Sequence, residues 1–413
     1  MIPLPLHEFH HRLGARFAGL DGAELVNDYG DWLAEHAALR QSAGVLDFSF
    51  RSRICLTGAD RVRFLHGQVT NDVKKLRVGE GCYAALVTAK GKMESDLNIF
   101  CLQDELLLDF EPGLTGKISQ RLEKFVVADD VQIVDVAPHY GLLNVQGPKA
   151  EAVVLAIGLI DRDALPRVPA DRQVGPAVVT ITDATLGEIY LANQPRLSLF
   201  PLPAKRGEGQ GEGQHFTSSP RPSPPFHGGE GEYVLCGFDL FVPNSSLGVV
   251  ADKLIAAAKQ IGGRACGWQA FETARIEAGI PRFGVDMDET NLPLECGIES
   301  RAVVYNKGCY IGQEVINRIH SFGHVTRELR GLRLADDLKS LPQRGDKLFC
   351  AGKEIGYITS AVRSPVLKAN IALGYVRREA NQTGNELTLQ ATGEGPVKIV
   401  GIPFVGGLPC RRP

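Results

Sequence analysis

The chain has 413 residues, 44% hydrophobic and 23% charged, with a formal net charge of −3. That balance gives no general electrostatic reason to bind nucleic acid or an anionic membrane, and the length suits two or three domains. No stretch reaches the roughly 18–20 apolar residues of a bilayer span, and MIPLPLHEFHHRL lacks the basic-then-apolar order of a secretion signal. Nine scattered cysteines fit free thiols in a reducing cytoplasm.

In chain order, DWLAEHAALRQSA (31–43) places Trp32, His36 and Leu39 on one helical face, with Gly44 as its stop. The strand ICLTG follows, and Asp60 is positioned to cap a helix carrying Val62, Leu65 and Val69. Residues 81–111 read as a meander: CYAALVTA, a Lys90-Gly91 turn, MESDLNIFCL, a turn at 103–105, then LLLDFEP. A helix over 114–127 aligns Ile118, Leu122 and Phe125; strands VQIVDV and YGLLNVQG and the helix KAEAVVLAI come next.

Residues 197–232 are dense in Gly, Pro and Ser with little to bury, which predicts a disordered surface insert. Its GEGQGEG lacks the preceding strand, following helix and Gly-Lys-Ser/Thr of a phosphate loop. The flanking GEIYLANQP and YVLCGFDLFVP both read as strands, so the insert interrupts a hairpin. Helices over 246–260 and 268–278 follow. Beyond 325, short strands separated by Gly, Asn and Pro turns predict a C-terminal β-barrel or sandwich. Strands and helices mix without regular β-α-β alternation, which places the chain in the α+β class.

Three sets of residues carry possible chemistry. Cys296, Cys309, His320 and His324 have the order of a zinc set, but no C-x2-C pair exists and Gly323 lies within the histidine-bearing turn, so no metal is assigned. In NKGCYIGQEV, Ile311, Val315 and Ile319 recur every fourth residue, predicting a helix from about Tyr310 with Cys309 at its N-terminus. There the helix dipole and Lys307 favour a thiolate, whereas a small buried core cysteine is the bland alternative. Asp96, in SDLNIF, shares a strand face with Asn98 opposite Leu97 and Ile99, while Glu277 sits near a helix end in TARIEAGI. Neither acid alone separates a ligand-facing role from a solvent-facing one.

Lys307-Gly308-Cys309-Tyr310, with Gly312, Gln313 and Glu314 behind it, resembles the Lys-Gly-Cys-Tyr-x-Gly-Gln-Glu signature of the YgfZ family, folate-binding relatives of the glycine-cleavage T-protein. The blocks 44–100, 274–298 and 356–376 are similar to T-protein segments in the same order, so the likeness spans nearly the whole chain outside the insert. The resemblance implies a three-lobed T-protein-like fold: a folate-binding region over 1–324, in two lobes interrupted at 197–232, and a barrel over 325–413.

It also implies tetrahydrofolate, or a one-carbon derivative, as cofactor. Glu277 falls on the pterin-facing acid, whose carboxylate accepts the pterin's adjacent N–H and amino groups. Asp96 falls on the catalytic aspartate, Tyr83 on a tyrosine near the folate, and Arg327 on an arginine for the folate's acidic tail. The T-protein has Lys-Gly-Asp-Phe where this chain has Lys307 to Tyr310, which argues against ordinary glycine cleavage. YgfZ relatives are linked to iron–sulfur cluster assembly or repair in other enzymes, including tRNA-modifying ones. The implied protein is a cytoplasmic monomer without direct nucleic-acid or membrane contact, acting through Cys309 on iron–sulfur client or assembly partners. Attack on an electrophile, exchange with a disulfide or persulfide, and transient iron binding all stay open for the thiol. The alternatives are a folate-dependent aminomethyltransferase or demethylase using Asp96, and a non-catalytic folate-binding scaffold.

Overall fold

Alternation of apolar and polar residues along the strands gives the fold its two-faced sheets. The structure is a computed structural model and describes residues 1–167, 175–197 and 237–405; the insert expected at 197–232 lies, apart from Leu197, outside them. A five-stranded antiparallel sheet runs in the order Gly81–Val87, Met93–Cys101, Leu106–Phe110, Ser52–Thr57, Gln132–Asp135. Leu97 and Ile99 point to one side, into a core with Ile54, Leu56 and Leu108 that the helix Thr115–Glu123 covers with Ile118 and Leu122. Phe125 falls beyond that helix, whose last residue is Glu123, and is exposed.

A second, six-stranded sheet runs Val178–Asp183, Gly187–Asn193, Gly237–Pro243, Tyr140–Gln146, Gly44–Asp47, Arg264–Ala265. Its second and third strands are antiparallel neighbours, as a hairpin interrupted by an insert requires. Gly44 does not simply stop a helix; the helix Trp32–Gln41 ends at Ser42, and Gly44 opens a strand. There any Cβ would collide with Leu39 and Cys266. The helix starts as its sequence suggests, with the Asp31 side chain accepting from the Ala34 N–H at 3.0 Å. The helix after Asp60 is shorter than its periodicity suggests, Arg61–His66, and Val69 instead bridges to Leu86.

The two sheets lie face to face. Cross-strand register sets Phe100, Leu107 and Cys55 in one row of the first, and Tyr190, Phe241 and Leu142 in one row of the second. These rows fuse into a single apolar core, in which Phe100 and Phe241 meet edge to face at 5.6 Å. The adjoining rows are polar: Tyr83, Asn98, Asp109 and Arg53 on the first sheet, Asp239 and Asn144 on the second. Arg196 joins them, donating to Asp109 at 2.8 Å and through Nε to both oxygens of Asp239 at 3.1 Å. Gln194 donates to Asn98 across the same gap at 3.1 Å. Arg51 donates to Asp109 and Glu111, and Arg282 to Glu111, so three guanidinium groups face three carboxylates in this seam.

A closed six-stranded barrel follows, in the order Arg327–Leu334, Ala369–Arg377, Lys353–Ser364, Lys347–Cys350, Glu386–Thr388, Pro396–Val400. Leu332, Leu348, Ile358, Val376 and Ile399 fill it. Asp286 ties the barrel to the rest, accepting from Thr359, Ser360 and Arg275. The α+β class and the C-terminal barrel read from sequence are therefore the observed ones.

Removing Arg196 leaves Asp239 without its guanidinium partner and Asp109 with Arg51 alone. Breaking one member of a buried pair costs about 3–5 kcal/mol. Arg196→Ala is expected to lose that much in urea unfolding at pH 7, with Arg196→Lys intermediate, since one ammonium lacks the fork that reaches both acids. A loss below about 1 kcal/mol, the range of exposed pairs, would remove Arg196 from its bridging role.

Candidate functional site

Where the polar row of the first sheet reaches its edge, Tyr83 and Asp96 meet. Tyr83 is opposite Asn98 and Asp96 opposite Ala85, so both side chains leave the same face, and the Tyr83 hydroxyl donates to Asp96 Oδ2 at 2.8 Å. Desolvation and the nearby Glu111 carboxylate push the Asp96 carboxyl up to about 6. An acid with that value exchanges a proton near neutrality, which an ordinary aspartate does not. Arg301 covers the Tyr83 ring at 5.0 Å. The same seam leaves acceptor atoms without partners: Asn144 Oδ1, Gln146 Oε1 and Gln194 Oε1.

Arg327 stands on the barrel's first strand against the adjoining rings of Tyr357 and Tyr375, at 5.6 and 5.1 Å, with Glu295 at 3.5 Å. It borders a cleft of about 240 Å³ that Lys347, Glu354, Tyr357, Tyr375 and Arg377 also line. The buried Cys296, whose sulfur accepts from Tyr375 Oη at 3.1 Å, feels both Arg327 and Asp96 electrostatically. It thus marks where the sheet edge and the barrel come together.

Glu277 is placed elsewhere. It is fully buried, one oxygen held by His36 Nε2 at 2.8 Å and the other by Ser364 Oγ, and its carbonyl accepts from Phe404. It clasps the helix Trp32–Gln41 and the barrel to the helix Trp268–Glu277, and among the described residues no hydrogen bond joins it to the Tyr83–Asp96 pair. Each oxygen of Glu277, the residue the resemblance assigns to the pterin, thus already accepts one hydrogen bond from the protein.

The signature loop differs from its sequence reading in one respect. The helix begins at Gln313, not near Tyr310, and Gly312 precedes it with φ of 85°. A Cβ at Gly312 would lie 2.5 Å from the Thr88 carbonyl oxygen, so glycine is required and the chain turns sharply there. Cys309 thus lies ahead of the helix, and the dipole argument for its thiolate falls away. It is exposed, unlike Cys55, Cys82, Cys101, Cys266 and Cys296. Lys307 fixes the loop: its buried ammonium donates to the carbonyls of His66, Val69 and Asn71 at 2.6, 2.6 and 2.8 Å. Tyr310 turns inward beneath it, its ring 4.7 Å from Lys307 Nζ, while Gln313 reaches back to the Lys307 carbonyl and Glu314 stays exposed. Asn71 also donates to the Tyr83 carbonyl at 2.8 Å, so the segment 66–72 backs both the thiol loop and the Tyr83–Asp96 pair. Among the described residues, no group of three or more His, Cys, Asp and Glu side chains is arranged to hold a metal ion, and no helix is long and apolar enough to cross a membrane.

Sequence inspection missed Asp109, Asn144, Arg196 and Asp239. A signal existed for three of them: each interrupts an otherwise apolar strand, LLLDF, YGLLNVQ or GFDLFVP, where a buried polar residue demands a partner.

The raised Asp96 value has a stability consequence. Its favourable contribution is complete below the unfolded value near 3.9 and is lost as pH rises through the folded value of about 6. Asp96→Asn is expected to stabilise the chain at pH 8 by about 1–2 kcal/mol, discounted for the side chain's partial opening to solvent. Near pH 4 the difference should vanish in chemical denaturation; an equal gain at both pH values contradicts the assignment.

Residues 6–172 and 233–307 match the GCVT N-terminal domain, and 327–405 match the glycine cleavage T-protein C-terminal barrel domain. Curated relatives include an aminomethyltransferase of Shouchella clausii, 25% identical over 98% of both chains, and one of Geobacillus thermodenitrificans, 28% identical over 97% of both. A crystal structure of the glycine cleavage system aminomethyltransferase T from Bartonella henselae shares the fold, with a TM-score of 0.78 at 22% identity and 98% of each chain covered. Tetrahydrofolate is the one-carbon carrier of this family. The donor set fits such a ligand: an acid poised near neutrality against a tyrosine, unpaired amide acceptors in the seam, and a cationic cleft beside Arg327. The chain belongs to the glycine cleavage T-protein family, with that family's folate-binding region and terminal barrel.

Proposed function

We propose that this chain is a YgfZ-like member of the family, binding tetrahydrofolate and supporting iron–sulfur cluster assembly or repair in client enzymes through Cys309. The observation that carries the reading is the Lys307 anchor. Its three carbonyl contacts hold the loop so that Tyr310 is buried while the Cys309 thiol faces solvent, where a client can reach it. Burial lowers the Lys307 ammonium to about 8, a cost that three short hydrogen bonds offset.

Tetrahydrofolate, when bound, supplies a carrier for a one-carbon unit. On the protein side, Tyr83 orients Asp96 by its hydroxyl, and Asp96 holds or releases a proton at its carboxyl near neutral pH. Arg327, with Lys347 and Arg377 across the cleft, offers positive charge to an acidic tail. The Glu277 carboxylate acts as a structural clasp in this reading, and the unpaired acceptors Asn144 and Gln194 take over recognition of donor groups.

A second reading, a folate-dependent aminomethyltransferase or demethylase, is favoured by the retained Asp96–Tyr83 pair and by the names of the relatives. The two readings separate in a strain lacking the gene and complemented with variants. Activity of a tRNA-modifying iron–sulfur enzyme is expected to fall to the level of the empty strain with Cys309→Ala and to be substantially restored by Asp96→Asn. Full restoration by Cys309→Ala with failure of Asp96→Asn would sink the maturation reading and leave the transferase.

A further inference from the structure

Glu111 directly follows the strand Leu106–Phe110 and is 7% exposed. Asn98 pairs with Asp109 across the ladder, and the same register carried two residues further sets Glu111 across from Asp96. Each Glu111 oxygen is taken by its own arginine: Oε1 accepts from Arg51 Nη1 at 2.6 Å and Oε2 from Arg282 Nη1 at 2.9 Å. Arg51 also donates to both oxygens of Asp109, at 2.7 and 3.1 Å, and Arg282 lies over the Trp268 ring at 5.0 Å, which fixes both cations in place. Burial would raise Glu111, but Arg51 and Arg282 outweigh it and hold the carboxyl below its ordinary value. Asp96 accepts from the Tyr83 hydroxyl and, among the described residues, forms no ion pair. Two neighbouring acids whose surroundings push their proton affinities apart divide into a permanent charge and a proton carrier.

We propose that Glu111, clamped by Arg51 and Arg282, is a positioning residue for the site: a fixed negative charge beside Asp96 that keeps this acid able to exchange a proton near neutral pH. This rests on the reading of Asp96 as the proton-carrying acid of the folate site. The groups facing Asp96 are Tyr83 from the neighbouring strand, Glu111 and Arg51 from the seam, and Cys296 after the turn Pro293–Glu295. Tyr83 donates to the carboxylate and Arg51 attracts it, so both favour the charged form, while burial and Glu111 oppose it. Burial pushes the Cys296 thiol up to about 12, so it adds no charge at neutral pH. Without the Glu111 charge the balance at Asp96 tips toward that of an ordinary aspartate.

Carbon NMR of the intact chain, labelled at aspartate Cγ, reads the Asp96 carboxyl directly, its resonance identified by its loss in Asp96→Asn. In the wild type it is expected to titrate at about 6. Glu111→Gln should lower that midpoint by about one pH unit, a tenfold loss of proton affinity, and Glu111→Asp, which keeps the charge, should restore most of it. Arg282→Gln removes a cation from the clamp and should raise the midpoint, whereas mere loosening of the packing would admit water and lower it. A thermal melt confirms that each variant is folded. A midpoint unmoved by Glu111→Gln, or lowered by both Glu111→Gln and Arg282→Gln, overturns the role of Glu111. Tetrahydrofolate affinity, titrated by calorimetry across pH 5 to 8, should change at the same midpoint and follow it in Glu111→Gln. Should the midpoint move while folate affinity stays flat across pH, the placement of folate on Asp96 fails and the hold of Glu111 on that acid stands.

Discussion

Arg196 lies between Asp109 of one sheet and Asp239 of the other, and the geometry of the cleft depends on that bridge. Burial alone would raise Asp109, but Arg196 and Arg51 outweigh it and hold the carboxyl far below its usual range. The apolar ends of the two sheets close through Phe100 and Phe241 without directional demand. The polar ends close only where each buried charge finds its partner, so register and spacing are fixed there. A polar seam between sheets stabilises less than an apolar one of equal area, and its retention makes sense where an acid with a shifted proton affinity must sit at its edge.

The rest of the site is held by contacts between distant parts of the chain. The segment 66–72 receives the Lys307 ammonium on one side and braces the Tyr83 backbone on the other, so the thiol loop and the acid share one support. On the barrel side, Asp286 gathers Arg275, Thr359 and Ser360, and Glu277 gathers His36 and Ser364. These two buried carboxylates set the barrel against the sheets, and with it the position of Arg327. Glu277, which the family resemblance assigns to the pterin, also belongs to the frame that holds the barrel against the sheets.

Local patterns were legible and long-range ones were not. Period-two alternation put Asp96 and Asn98 opposite Leu97 and Ile99, and the strand keeps them so because a pleat allows nothing else. The helix start was misplaced by three residues because Ile311, Val315 and Ile319 continue a helical spacing across a turn that Gly312 makes in the left-handed region. No local pattern pairs Glu277 with His36, because the two lie 241 positions apart. Asp109 and Asp239 gave the cue of a charge inside an apolar strand, but only the opposed sheet reveals that they answer each other through Arg196. Family resemblance supplied the folate and the order of the blocks, which no periodicity contains.

The placement of folate against the Tyr83–Asp96 edge, with Glu277 outside the site, is tested most directly by calorimetric titration of tetrahydrofolate onto wild type, Asp96→Ala and Glu277→Gln. Loss of one charge-assisted contact predicts an affinity about tenfold or more weaker for Asp96→Ala, from roughly 1.5–3 kcal/mol. Glu277→Gln, still able to accept from Ser364, should bind within about twofold of wild type, a difference under 0.5 kcal/mol. The reverse pattern, with Glu277→Gln weakened and Asp96→Ala unchanged, would contradict this placement of the ligand.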